Sequence, residues 1–235
     1  MFEDYSIRVC KKEDLHYPSE MKKLVGMPGV LYYKGNIEVI NAHKNIAIIG
    51  SRKASREGLK YAYEAGHEAA LRGINVVNGL ALGCDTEALK GALAANGKCV
   101  AVMPCGLNQM VPLSNLRLAE EILEKGGCLV SQYPKGTPIK KYQYVERDYL
   151  QSGLSQGVLV IESQENGGTM HAAGHAARQN RRLACYQSIL VNEATGNKLL
   201  ESASNTKTLK SSTDLILFLD EIRTEIWFEQ ISLNL

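Results

Sequence analysis

Asn45-Ile46-Ala47-Ile48-Ile49-Gly50-Ser51-Arg52 is an almost unbroken apolar run that stops at a glycine, a hydroxyl and a cation. A run without polar alternation is buried on both faces, so it reads as a central strand of a parallel sheet. Gly50 lets the chain turn tightly. The helical pattern that follows presents unpaired amides and a positive dipole end toward that turn. The stretch therefore predicts a phosphate- or nucleotide-binding crevice, with Arg52 adding a formal charge to it.

On either side of this strand the same unit recurs. Apolar, β-branched runs at 46–49, 74–77, 99–103, 128–131, 158–162 and 183–186 alternate with segments of helical period at 55–72, 85–96, 115–125 and 169–180. Repeated strand–helix units pair in parallel through right-handed crossovers, which gives an α/β fold: a Rossmann-like, doubly wound, mostly parallel sheet. Ligands of such sheets sit at the carboxyl ends of the strands. Four loops leave those ends: Gly50-Ser51-Arg52, the stretch from Asn78 to Asp85 with Gly79 and Gly83, Pro104-Cys105-Gly106, and the stretch from Ser163 to Thr169 with Gly167-Gly168. All four are expected on one rim, where a glycine reads either as an ordinary strand-to-helix turn or as close approach to a ligand.

Residues 1–40, broken by Tyr17-Pro18 and Met27-Pro28-Gly29, are too short for a core of their own and are expected to pack on the main domain as a lead-in. Residues 41–225 form that domain. Ser212-Thr213-Asp214 caps an apolar terminal helix, and 226–235, with Trp227 and Phe228, form a tail that docks or presents a contact surface. Of the 235 residues, 45% are hydrophobic and 22% charged, the balance of a soluble globular chain. No apolar run nears the roughly 20 residues that span a bilayer. The opening Met1-Phe2-Glu3-Asp4 lacks the basic and apolar regions of a secretory signal, so the expected location is the cytoplasm. Six cysteines without a Cys-x-x-Cys pair read as reduced core residues. A net charge of +2 identifies no polyanion partner by itself, so such a site must come from local clustering.

One local cluster qualifies. Lys140, Lys141, Tyr142, Tyr144 and Arg147 combine cations with aromatic rings, and Arg52, Lys53 and Arg56 add cations near the first helix. A single nucleic-acid strand needs this pairing, phosphates neutralised and bases stacked. Read as extended, the segment puts Tyr142 and Tyr144 on one face, as a stacking platform, a packed strand or a dimer surface. Arg52 either meets a ligand or pairs with Asp85 or Glu162, and Asp85 at a helix start reads as an N-cap. His171 and His175 lie one helical turn apart but lack a third ligand, so no metal is expected and His171 reads as a phosphate contact. Glu162 and Glu165 have no acid or base partner in register, so neither catalysis nor a cofactor is expected.

In order, Gly50-Ser51-Arg52, Asn78-Gly79-Leu80-Ala81-Leu82-Gly83-Cys84-Asp85, Cys105-Gly106-Leu107 with Val111-Pro112, Tyr144 with Arg147, and Asn166-Gly167-Gly168-Thr169 resemble the motif series of the DNA-processing protein A (DprA, or Smf) family. The likeness runs from about Tyr17 to Asp220, as a divergent member that spans only the family's core. It implies a homodimer, not an enzyme, that binds single-stranded DNA and hands it to RecA during recombination in natural transformation. Carried over residue by residue, Arg52 and Lys141 become phosphate contacts, Tyr144 the stacking aromatic, and Gly167-Gly168 a backbone donor site at a helix start. Where the family has Arg-Asn-Arg, this chain has Arg147-Asp148-Tyr149, one cation fewer and one anion more. That change weakens polyanion binding or redirects the crevice to a smaller ligand. The alternative is accordingly a nucleotide sensor, or a nucleotide hydrolase like the LOG family, although the glutamate that follows the LOG turn is replaced here by Met170-His171.

Overall fold

The computed structural model describes residues 5–224 and arranges them around one sheet. The strands are β1 (Arg8–Lys11), β2 (Val30–Gly35), β3 (Asn45–Ile49), β4 (Asn75–Asn78), β5 (Cys99–Val102), β6 (Cys128–Ser131), β7 (Gly157–Val160), β8 (Arg182–Tyr186) and β9 (Thr206–Leu209). They lie in the order β1-β2-β6-β5-β4-β3-β7-β8-β9. The stretch from β6 across to β9 is parallel throughout, and β1 and β2 add an antiparallel edge through β6. Every residue of β3 to β7 is buried, as the lack of polar alternation in these runs requires.

Helices cover both faces. On one lie α3 (Arg56–Leu71), α4 (Cys84–Ala94), α5 (Leu116–Glu124) and α9 (Ser212–Thr224), which share one apolar core with Ile46 and Ile48 of β3. On the other, α7 (Thr169–Arg178) and α8 (Thr195–Glu201) share an apolar cluster with Ala47 and Ile49, while α2 (Val39–Ala42) and α6 (Tyr142–Gly153) cover β4 to β6. β3 lies between β4 and β7, and the helices that follow β3 and β7 go to opposite faces. The two loops therefore part at this topological switch point and leave a crevice at the carboxyl edge. None of the described helices is long and apolar enough to cross a membrane. All six cysteines are buried and free.

Three parts of the sequence reading change. The first forty residues extend the sheet: β1 and β2 come from them, and Tyr17, Met21 and Leu31, with α1 (Ser19–Lys22), join the core against Val77, Val100 and Leu150. The segment carrying Tyr142 and Tyr144 is helical, so the alternation argued from an extended chain does not apply. β9 was not expected, because Thr206-Lys207-Thr208 is polar edge sequence whose pairing with β8 supplies what its composition does not. The proposed tail, 226–235, lies outside the described residues.

Candidate functional site

The loop after β3 is held at both ends. The Ser51 amide donates to the Glu162 carbonyl at 2.7 Å, and the Ser51 carbonyl accepts from the Cys84 amide at 3.2 Å. Gly83 abuts the same carbonyl with φ +78°, where a Cβ would come within 2.3 Å of it, so only glycine lets these two loops touch. α3 itself begins at Arg56, beyond the loop. Ser55 caps it by accepting from the Gly58 amide at 3.0 Å, and the Glu162 carboxylate accepts from the Ser55 amide and hydroxyl at 2.9 and 2.6 Å. The dipole end expected to face a ligand is thus answered by the protein's own anion, and Arg52 reaches out ahead of the helix.

Arg52 pairs with neither Asp85 nor Glu162, and among the described residues it makes no ion pair. Its guanidinium carbon lies 5.3 Å from the centroid of the Tyr144 ring, a cation–π contact that leaves the N–H edges available.

Asp85 is taken by Arg147. The carboxylate accepts from the amides of Gly79 at 2.9 Å and Ala81 at 3.4 Å and lies 3.8 Å from the Arg147 guanidinium. It pins the β4–α4 loop; the N-cap position belongs to Gly83. Burial raises Asp85 to about 6 against the pull of Arg147 and the two amides. Gly79 admits the guanidinium, since a Cβ there would overlap it. Arg147, expected as a phosphate contact, is 7% exposed and shared among Asp85, Asp148 at 3.4 Å and the Gln151 carbonyl oxygen at 3.1 Å.

Across the crevice, the turn before α7 bonds the amides of Gly167, Met170 and His171 internally. The amides of Gly168 and Thr169 have no hydrogen bond among the described residues, and nothing crowds Gly168. A ten-residue helix thus opens with two donors and its dipole end directed at the crevice. Asn197 braces the turn, accepting from the Ser163 amide at 2.8 Å and donating to Ile161 and Tyr186 carbonyls at 2.9 Å.

The resulting cleft encloses about 660 Å³. Of the residues singled out in the sequence, Gly50, Ser51, Arg52, Asp85, Tyr144, Arg147, Gly167, Gly168, Thr169 and His171 line it, and Gly79 lines an adjoining recess of about 90 Å³. Lys140 and Lys141 are exposed just ahead of α6 and do not line the cleft. Gly83 and Gly106 serve packing; a Cβ on Gly106 would come within 2.5 Å of the Pro134 carbonyl. His175 bonds Arg178 at 2.7 Å and meets Tyr149 edge-on at 5.2 Å. Burial, with Arg178 and His171 beside it, lowers its basicity. The described residues contain no group of three acidic, His or Cys side chains that could hold a metal. Tyr149 donates to the Val25 carbonyl at 2.6 Å and ties α6 to the N-terminal segment. Sequence reasoning passed over Gln151 on the cleft floor; positions 144, 147, 148 and 151 form one helical stripe that is visible only when the segment is read as a helix.

The sequence profile described as DNA recombination-mediator protein A matches residues 8–220. Protein Smf of Escherichia coli is 36% identical over 167 residues, 71% of this chain and 44% of that protein. DNA processing protein DprA of Bacillus subtilis is 26% identical over 94% of this chain and 74% of its own. The chain thus spans under half the length of the Escherichia coli relative. Among solved structures, DNA processing protein A from Helicobacter pylori, described by its single-stranded DNA binding mode, has a TM-score of 0.81 at 25% identity and covers 93% of this chain and 95% of its own. That from Streptococcus pneumoniae has a TM-score of 0.79 at 26% identity, covering 90% and 74%.

Proposed function

Because this chain belongs to the DNA recombination-mediator protein A family, we propose that it binds single-stranded DNA across the switch-point cleft, as part of DNA processing in recombination and natural transformation. The observation that carries this reading is Arg52, free of ion pairs and laid over Tyr144, facing the two unbonded amides of Gly168 and Thr169 in one cleft. Phosphates rest on Arg52 and the 167–169 turn, with Lys140 and Lys141 on the approach, and a base stacks on Tyr144. Arg147, already shared among three partners, shapes the floor. In this reading the chain is a binder rather than an enzyme. It works as a homodimer in the cytoplasm and hands its strand to RecA.

Titration of a labelled oligo-dT by fluorescence anisotropy tests the site. Arg52→Ala should weaken binding at least about tenfold, or about 1.4 kcal/mol, and wild-type affinity should fall steeply with salt. Unchanged affinity in the variant would remove the strand from this cleft. The second reading, a small nucleotide ligand, draws on the carboxylates in the cleft, since Asp85 and Asp148 disfavour a polyanion. Thermal stabilisation by mononucleotides, with no binding of oligonucleotides, would favour it.

A further inference from the structure

The cleft is polarised from rim to floor. Its rim carries Arg52 and the Gly168 and Thr169 amides, whereas its floor sets two carboxylates, Asp85 and Asp148, about the Arg147 guanidinium, with Arg52 and His171 acting on Asp148 from the rim side. A phosphate is favoured at the rim and repelled by the floor, so what enters deepest is an uncharged group with N–H donors. Two donors on the floor also lack a hydrogen bond among the described residues, Arg147 Nε and the Gln151 amide. Gln151 is 1% exposed, its carbonyl oxygen is taken by Arg147 at 3.1 Å, and its amide nitrogen is buried with no partner. An unpaired buried donor costs free energy unless a ligand acceptor completes it. Arg147 lies against both Asp148 and Gln151: its Nη1 donates to Gln151, and its Nε stands 3.4 Å from the Asp148 carboxylate as an ion pair. Asp148 and Gln151 stand one turn apart on α6, and both line the cleft.

We propose that Asp148 and Gln151 read the edge of one base of the bound strand, and that the base they favour is guanine. This rests on the single-strand reading of the cleft. A carboxylate accepts from two adjacent donors at once, and guanine alone of the four bases presents a ring N–H beside an amino group, with a carbonyl next to them for the Gln151 amide. Thymine offers one N–H between two carbonyls; adenine and cytosine offer an amino group beside a ring acceptor. The aspartate is also where this chain departs from the Arg-Asn-Arg pattern that it otherwise resembles, and an asparagine amide cannot take both guanine donors.

The test is competition anisotropy with oligo-dT against the same strand carrying one central guanine, hypoxanthine or adenine. The guanine strand should compete about tenfold better than all-thymine, within the range of a good bidentate base contact. Hypoxanthine, which lacks the amino group, should fall between them. Asp148→Asn should abolish the guanine preference while improving all-thymine binding. Equal competition by all four strands, with Arg52→Ala still defective, would overturn the base-reading pair and leave the cleft reading intact. Failure of every strand to bind would instead remove the single-strand reading itself. The wild-type comparison across bases needs no variant to fold.

Discussion

The two ends of the sheet carry clefts of different character. At the amino ends of the strands, a cleft of about 350 Å³ lies among Pro18, Glu20, Lys23, Asn41, Asn45 and Gln156. Its polar groups are largely spent on the protein. Glu20 pairs with Lys23 at 2.6 Å and Arg181 at 2.7 Å, the Asn45 amide donates to Gln156 at 2.7 Å, and Asn45 and Asn75 bond each other at 2.9 Å. At the carboxyl ends, Arg52, the Gly168 and Thr169 amides and the Gln151 nitrogen are left over. Unspent hydrogen-bonding capacity, more than polarity or volume, marks where a ligand belongs.

Glu20→Ala should break this contrast most severely. It leaves Arg181, 9% exposed on its side chain, without its carboxylate, at a cost of about 3 kcal/mol or more of unfolding free energy in urea titration. The affinity of the folded variant for oligo-dT should not change. Next in size is Tyr144→Ala, which removes the stacking face and should cost about 1–3 kcal/mol of binding, whereas Tyr144→Phe keeps the ring and should bind almost as wild type. Lost binding in the phenylalanine variant would mean that the hydroxyl, and not the face, meets the ligand.

Asp85 sharpens the comparison through pH. Its carboxyl is raised from 3.8 to about 6 by burial, so the folded protein holds a proton there that the unfolded chain releases. Stability from this group is full below the unfolded value and declines as pH rises through the folded one. The melting temperature of wild type relative to Asp85→Asn should therefore fall between about pH 4 and pH 7, and a flat difference would contradict the assignment. Lys141→Ala, at an exposed position, should have the smallest effect, a few-fold weaker binding and a salt dependence shallower by about one counterion.

How much was legible in the sequence follows from the same contrast. The run from Ile46 to Ile49 and its glycine-ended relatives disclose a parallel sheet and its ligand edge, because burial on both faces leaves no polar alternation, polar residues such as Asn45, Asn75 and Asn78 falling only at strand ends. Arg52, Tyr144 and the Gly167-Gly168 turn could be picked out because they follow such strands or sit in a basic, aromatic cluster. What was hidden depended on partners distant in the chain. Glu162 answering Ser55, Arg147 spent on Asp85, and the first forty residues supplying two strands are all contacts between segments that no local pattern encodes. The stripe from Tyr144 to Gln151 stayed invisible for a different reason. Two tyrosines at alternate positions suit a strand as well as a helix, and only packing against α7 decides between them.

The most direct measurement is ultraviolet crosslinking of an oligo-dT carrying 5-iodouracil, with the adduct located by mass spectrometry. The strand should crosslink to the peptide of α6 that contains Tyr144, and Arg52→Ala should reduce the yield. Adducts confined to the amino-end cleft, or to surfaces away from α6 and the 163–169 turn, would contradict the placement of the strand at the switch point.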